Sequence, residues 1–188
     1  MRHEVVARGG PGFCNALRMS LIDDTTSLAA CRIHFEANSS CFNNEYLAHR
    51  VGMVPFRRIA QQGDGTLRIR AKGPRRVYAK DFEGIGIEPV YGQILIAVLG
   101  TEEQQLDLTA HFDSGAASRH ARYATVAAVG MRPTDAAADA HAISFELVDE
   151  QSSPKEIVCE ALRALEARVD RALLALAAQP ERPLRSCC

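Results

Sequence analysis

Apolar positions recur along this chain with the period of a helix in some stretches and of a strand in others, and the switches between them outline its elements. After Pro11-Gly12, the residues Phe13, Ala16, Leu17, Ser20 and Leu21 share one face of a 3.6-residue period, which predicts a helix that residues 25–27 break. Ala29, Cys31, Ile33 and Phe35 then alternate with Arg32, His34 and Glu36 as a half-buried strand, and Asn38-Ser39-Ser40 supplies a turn. A short helix is predicted over about 44–51, stopped by Gly52 with Pro55 just beyond.

The middle of the chain reads as strands. Leu67, Ile69 and Ala71 alternate with Arg68, Arg70 and Lys72, Gly73-Pro74 turns the chain, and 77–79 continues it. Residues 94–99 form a continuous apolar run, and Leu106, Leu108, Ala110 and Phe112 alternate once more. Loop-like flanks at 61–65 and 114–118 enclose this stretch, which marks 57–117 as a β-rich inserted subdomain.

Ile143, Phe145 and Leu147 predict a further strand. Ser153-Pro154-Lys155-Glu156 then combines a capping serine, a proline at the first helical position and a glutamate three residues after the cap. The helix this starts is expected to reach about residue 178. Its apolar residues Val158, Leu162, Leu165, Val169, Ala172 and Leu176 step by 4, 3, 4, 3, 4, a heptad seam. Covering that seam with another helix contributes on the order of 10 kcal/mol before ordering costs. The same spacing also serves a helix packed on this chain's own sheet, and periodicity does not separate the two.

Charge sharpens the picture of the middle segment. Residues 57–80 hold eight basic residues against the single acid Asp64, while 81–113 hold seven acidic residues and no lysine or arginine. A basic block suits nucleic acid, but the net charge of −1 argues against bulk electrostatic binding, and the two halves are expected to face each other across one small subdomain. With no apolar run long enough for a bilayer and no signal-peptide pattern at Met1-Arg2-His3-Glu4, an intracellular protein is expected, without membrane partners. Cys14, Cys31, Cys41 and Cys159 lack zinc-site spacing and are expected to be mostly buried apolar residues; Cys187-Cys188 reads as a frayed tail over 180–188.

Catalytic patterns are missing. Gly9-Gly10-Pro11-Gly12 ahead of a helix resembles a phosphate loop but lacks the strand-plus-lysine context. The six histidines never recur at i, i+4, and Asp23-Asp24 and Glu102-Glu103 are adjacent pairs whose side chains diverge. No catalytic residue, metal or cofactor is expected.

Five collinear segments carry a family resemblance. They are Asn15-Ala16-Leu17-Arg18; Asn38-Ser39-Ser40 followed by the run 45–55, Glu-Tyr-Leu-Ala-His-Arg-Val-Gly-Met-Val-Pro; the turn and strand from Gly73-Pro74 to Asp81; His120-Ala121-Arg122-Tyr123-Ala124-Thr125-Val126; and Phe145-Glu146 through Ser153-Pro154-Lys155-Glu156-Ile157-Val158. Together they resemble the alpha-like subunits of multi-subunit RNA polymerases: the third subunit of eukaryotic RNA polymerase II, the archaeal D subunit and the bacterial alpha N-terminal domain. The likeness is closer to the eukaryotic, archaeal or large-DNA-virus forms, in the nucleus, the cytoplasm or a virion. Met19 stands where the family often has a second arginine, and Asn44 where an aspartate commonly precedes Glu45.

The resemblance implies an α+β fold. A discontinuous dimerisation domain, 1–56 plus 118–179, has helices packed on an antiparallel sheet and is interrupted by the β-rich insert. It implies a dimer interface made by Phe13, Leu17 and Leu21 of the first helix with Val158, Leu162, Leu165, Val169, Ala172 and Leu176 of the last. The dimer partner is a small like-folded subunit, or a second copy. The second-largest polymerase subunit is expected to dock through Asn15, Arg18, Glu45, His49 and Arg50. The implied role is a non-catalytic assembly platform in transcription that does not itself hold nucleic acid.

Overall fold

A computed structural model of the chain describes residues 2–60, 65–134 and 139–178. Expected features at 61–64, Asp64 among them, and in the tail with Cys187-Cys188 lie outside the described residues. The order is β1 (Arg2–Arg8), α1 (Pro11–Asp23), β2 (Thr26–Asn38), α2 (Asn44–Gly52), β3 (Phe56–Arg58), β4 (Thr66–Lys72), β5 (Arg75–Tyr78), β6 (Glu83–Gly84), β7 (Ile87–Pro89), β8 (Leu95–Leu99), β9 (Gln105–Ala116), β10 (Val126–Pro133), β11 (Ala140–Leu147) and α3 (Pro154–Ala177). The architecture is mixed α+β, sheet-rich with three α-helices among the described residues.

The strands form an antiparallel three-stranded sheet, β1-β11-β10, a six-stranded sheet, β6-β4-β9-β2-β3-β7, and the pair β5-β8. Two hydrophobic cores follow. In the first, Cys14, Leu17 and Leu21 of α1 and Ile157, Ala161 and Leu165 of α3 pack on Ile143, Phe145 and Leu147 of β11. The second lies under the six-stranded sheet, with Ile69, Leu106 and Leu108 at its centre. It also takes Ala30, Leu47, Val51 and Val54 from before residue 57, so the boundary expected at 56/57 falls inside a packed unit.

Local chemistry explains the elements that were anticipated. Ser153 Oγ accepts the Glu156 amide at the start of α3, and Asn43 Oδ1 accepts the Tyr46 amide at the start of α2. At the end of β2 the Asn38 side chain builds the turn, its Oδ1 accepting from the Ser40 amide at 3.0 Å while its Nδ2 donates to the Phe42 carbonyl at 2.9 Å.

Five strands went unanticipated: β1, β3, β6, β7 and β10. β1 carries Arg2, His3, Glu4 and Arg8, and only Ala7 of its seven residues is buried. β10 is rich in alanine and glycine and is interrupted by a register shift at Ala127/Gly130, where Ala128 adopts a φ of 51°. Neither presents the apolar alternation that identifies a strand, because each lies at the edge of its sheet. The remaining three are two or three residues long.

Candidate functional site

α3 presents two different faces along its length. Its buried residues step by four, Ile157, Ala161 and Leu165, and all belong to the sheet-packed first half. Beyond Leu165 every described residue of the helix is exposed. The heptad seam is therefore not one continuous stripe. Leu165 is 8% exposed and part of the core, and Val158 is half-buried, whereas Leu162 (38%), Val169 (49%), Ala172 and Leu176 face outward.

α1 divides in the same way. Leu17 and Leu21 were expected at a dimer interface, but they point inward and are buried against β11 and α3. Only Phe13, 46% exposed, joins Ala16 on the outer side. The reason is geometric: residues at i, i+3 and i+7 of this helix (Cys14, Leu17 and Leu21) already line the core, so the exposed apolar edge lies one step round. Phe13, Ala16, Leu162, Leu165 and Val169 line an open groove of about 600 Å³ between the two helices, with Arg163, Glu166 and Asp170 on its rim. Leu173 and Leu174 extend the exposed apolar surface and were missed, although the leucine pair beside the seam was a signal in plain view.

The polar residues expected to meet a large subunit fall into separate groups. On α1, Arg18 donates from Nε (3.1 Å) and Nη2 (2.9 Å) to Asn15 Oδ1 and from Nη2 to Met19 Sδ (3.0 Å), a local group on one helix. On α2, Glu45 and His49 are exposed. Arg50 is a structural tie: its Nη2 donates to the Leu95 carbonyl and its Nη1 to the Tyr46 hydroxyl at 3.3 Å. Exposed Tyr46 and Met53 complete the outer face of α2. Among the described residues no hydrogen bond or ion pair joins the α1 pair to the α2 group.

Two motifs distant in sequence meet in space. Arg122 Nη1 donates to the Ala30 carbonyl at 2.8 Å and lies against the end of α2. A Cβ at Gly52 would come within 3.2 Å of that nitrogen, so Gly52 leaves room for Arg122 to cross to β2. The run 45–55 and the His120-Ala121-Arg122-Tyr123 motif thus form one joint.

No protein-family model matches the chain. It is 31% identical over 160 residues to the DNA-directed RNA polymerase subunit Rpo3 of Natronomonas pharaonis, covering 82% of this chain and 61% of that protein. It is 26% identical over 160 residues to Rpo3 of Methanocaldococcus jannaschii, covering 84% and 81%. The Pyrococcus furiosus Rpo3 is 31% identical over 123 residues, 59% of this chain and 47% of that protein. Over most of its length the chain is similar to these alpha-like RNA polymerase subunits. It spans about three fifths of the length of the first of these relatives and about four fifths of the second.

Four of the eight basic residues in 57–80 meet acids. Arg57 donates to Glu88 at 2.7 Å and to Asp149 at 3.4 Å, Arg75 lies 3.2 Å from Asp81, and Arg68 binds Asp107 through two bonds of 2.8 Å. Arg70 approaches the same Asp107 at 3.7 Å. The Arg68 hydrogen bonds hold the Asp107 carboxyl below the usual carboxylate range, and the same pairing raises the Arg68 guanidinium. The two halves meet through Arg57, Arg68, Arg70 and Arg75.

Two smaller expectations change. Of the four cysteines among the described residues only Cys14 is buried; Cys31 and Cys41 are exposed and Cys159 is half-buried. Cys31 sits at the register shift in β2 between Ala30 and Arg32, which turns it out of the core. A strand does precede Gly9-Gly10-Pro11-Gly12, namely β1, but the lysine of a phosphate loop is absent, and the Phe13 ring lies 2.8 Å from where a Gly9 Cβ would be.

Proposed function

We propose that this chain is a non-catalytic assembly-platform subunit of a multi-subunit DNA-directed RNA polymerase. The observation that carries this reading is the exposed second half of α3 together with the α1/α3 groove. In this half of the helix Val169, Leu173, Leu174 and Leu176 are all exposed and none is covered by the other described residues, and patches of this kind mark protein partners. The partner is a small like-folded subunit that lays its own helices in the groove; a second copy of this chain is the other occupant the geometry accommodates.

The dimerisation domain then comprises 1–56 and 118–179, with 57–117 as an insert that shares its core with β2 and α2. The second-largest subunit docks on the outer faces of α1 and α2, through Arg18 with Asn15 and through Glu45 and His49 beside Tyr46 and Met53. Exposed tyrosine, methionine and arginine are the residue types enriched at such interfaces. The chain works where its polymerase works: the nucleus, the cytoplasm or a virion.

Val169→Arg is the direct test. Val169 is exposed, so the substitution should change folding stability by no more than about 0.5 kcal/mol. It places a long charged side chain in the apolar groove, and co-purification with the small subunit should be lost. Normal co-elution of the variant with that partner would show that the groove is not the interface. Leu165→Arg is a poor substitute, because Leu165 lies in the core and its loss would unfold the base of α3.

A further inference from the structure

α3 is a 24-residue helix, roughly 36 Å long. Its last buried residue is Leu165, so about 18 Å of helix projects without support from the sheet. Where that projection points is decided at its base. Three polar contacts there tie α3 to the junction of α1 and β2. Ser20 Oγ donates to the Ala161 carbonyl at 2.7 Å, with both residues fully buried. The backbone amide and hydroxyl of Thr26 donate to Glu160 Oε1 at 2.9 and 2.6 Å. Arg168 Nη1 donates to Asp24 Oδ2 at 3.1 Å.

Each contact removes a different freedom. The Ser20 bond uses the second lone pair of a carbonyl inside α3, which requires the two helices to approach closely; Ala161 and Ser20 are small enough to permit it. Glu160 clamps α3 to the first residue of β2. Arg168 lies two turns further along, where its pairing resists rotation of the projecting half about that clamp.

Asp24 supplies the telling detail. It is the C-cap of α1, which ends Asp23-Asp24 with no basic residue in its last turn. Carboxylates at a helix C-terminus oppose the helix dipole, so this position is unfavourable for α1 on its own. Arg168 brings the missing positive charge from α3. An acid that is wrong for its own helix and right for its neighbour serves the relation between the two.

We propose that Glu160, Ser20 and the Asp24–Arg168 pair are positioning residues that set the angle at which α3 leaves the sheet and so the width of the α1/α3 groove. The groove's role as a docking site rests on the function proposed above; the positioning itself does not.

The experiment uses the full chain with spin labels, introduced as unnatural amino acids, at exposed Leu174 and exposed Ala127. Pulsed dipolar spectroscopy should give one narrow distance distribution. Arg168→Asp and Glu160→Ala should each broaden it, and the swap Asp24→Arg with Arg168→Asp should narrow it again, with little change in thermal midpoint throughout. Affinity for the small like-folded subunit should fall roughly fivefold in the single variants and return in the swap, the scale of one exposed ion pair. A distribution that stays narrow in both single variants overturns the positioning role. A distribution that broadens while partner affinity holds upholds the positioning and removes the groove as the docking site.

Discussion

Asp107 faces both Arg68 and Arg70 on the open side of the six-stranded sheet, and its carboxyl titrates below the ordinary carboxylate range. Its folded value lies below its unfolded value. The pair therefore contributes stability that is present above the unfolded value and is lost as pH falls through the folded one. Arg68→Ala should return the Asp107 midpoint towards the ordinary range, read by a carboxyl NMR titration; an unmoved midpoint would assign the shift to another neighbour. At this scale the sequence showed only that a basic block precedes an acidic one. Which arginine meets which acid depends on register, since Arg70 lies opposite Asp107 in the ladder while Arg68 reaches it diagonally.

Among the elements, α3 was the most legible in advance. Its cap, its first-turn proline and its length all follow from local chemistry: Ser153 Oγ meets the Glu156 amide at 3.4 Å and the helix ends at Ala177. Ser153→Ala should destabilise the chain by about 1 kcal/mol, a fall of roughly 2–4 °C in thermal midpoint. A change much smaller than that would mean the long capping bond contributes little beyond what water supplies. The inward face of α3 was not legible. The seam 158–162–165–169–172–176 and the observed core face 157–161–165 share only Leu165, because the sheet below selects a four-residue step that includes the small Ala161. β1 and β10 escaped for the opposite reason: an edge strand makes its backbone bonds on one side only and needs no strong apolar pattern to do so.

For the molecule as a whole, the two cores meet where Arg57 reaches from Glu88 to Asp149 and where Arg122 crosses from the 121–123 turn to Ala30. The outer faces of α1 and α2 carry exposed Phe13 and Tyr46. Arg18→Ala should weaken attachment of the second-largest subunit while leaving the thermal midpoint within about 1 °C, since its partners among the described residues are its helix neighbours Asn15 and Met19. Equal loss of attachment and stability, measured by pull-down beside calorimetry, would count against an interface there.

The sequence alone determined what depends on neighbours along the chain: the cap of α3, the Asn38 turn, the stop at Gly52, the alternating strands β2, β4 and β9, and the collinear motifs that carry the likeness to alpha-like subunits. Only the tertiary structure decided which side of each helix faces inward. It turned Leu17, Leu21 and Leu165 into core and left Phe13, Val169 and Leu176 outside, because burial is a property of what packs against a residue and not of the residue's spacing. It likewise brought Gly52 to Arg122 and Asp24 to Arg168, contacts across 70 and 144 positions of chain that no local pattern encodes.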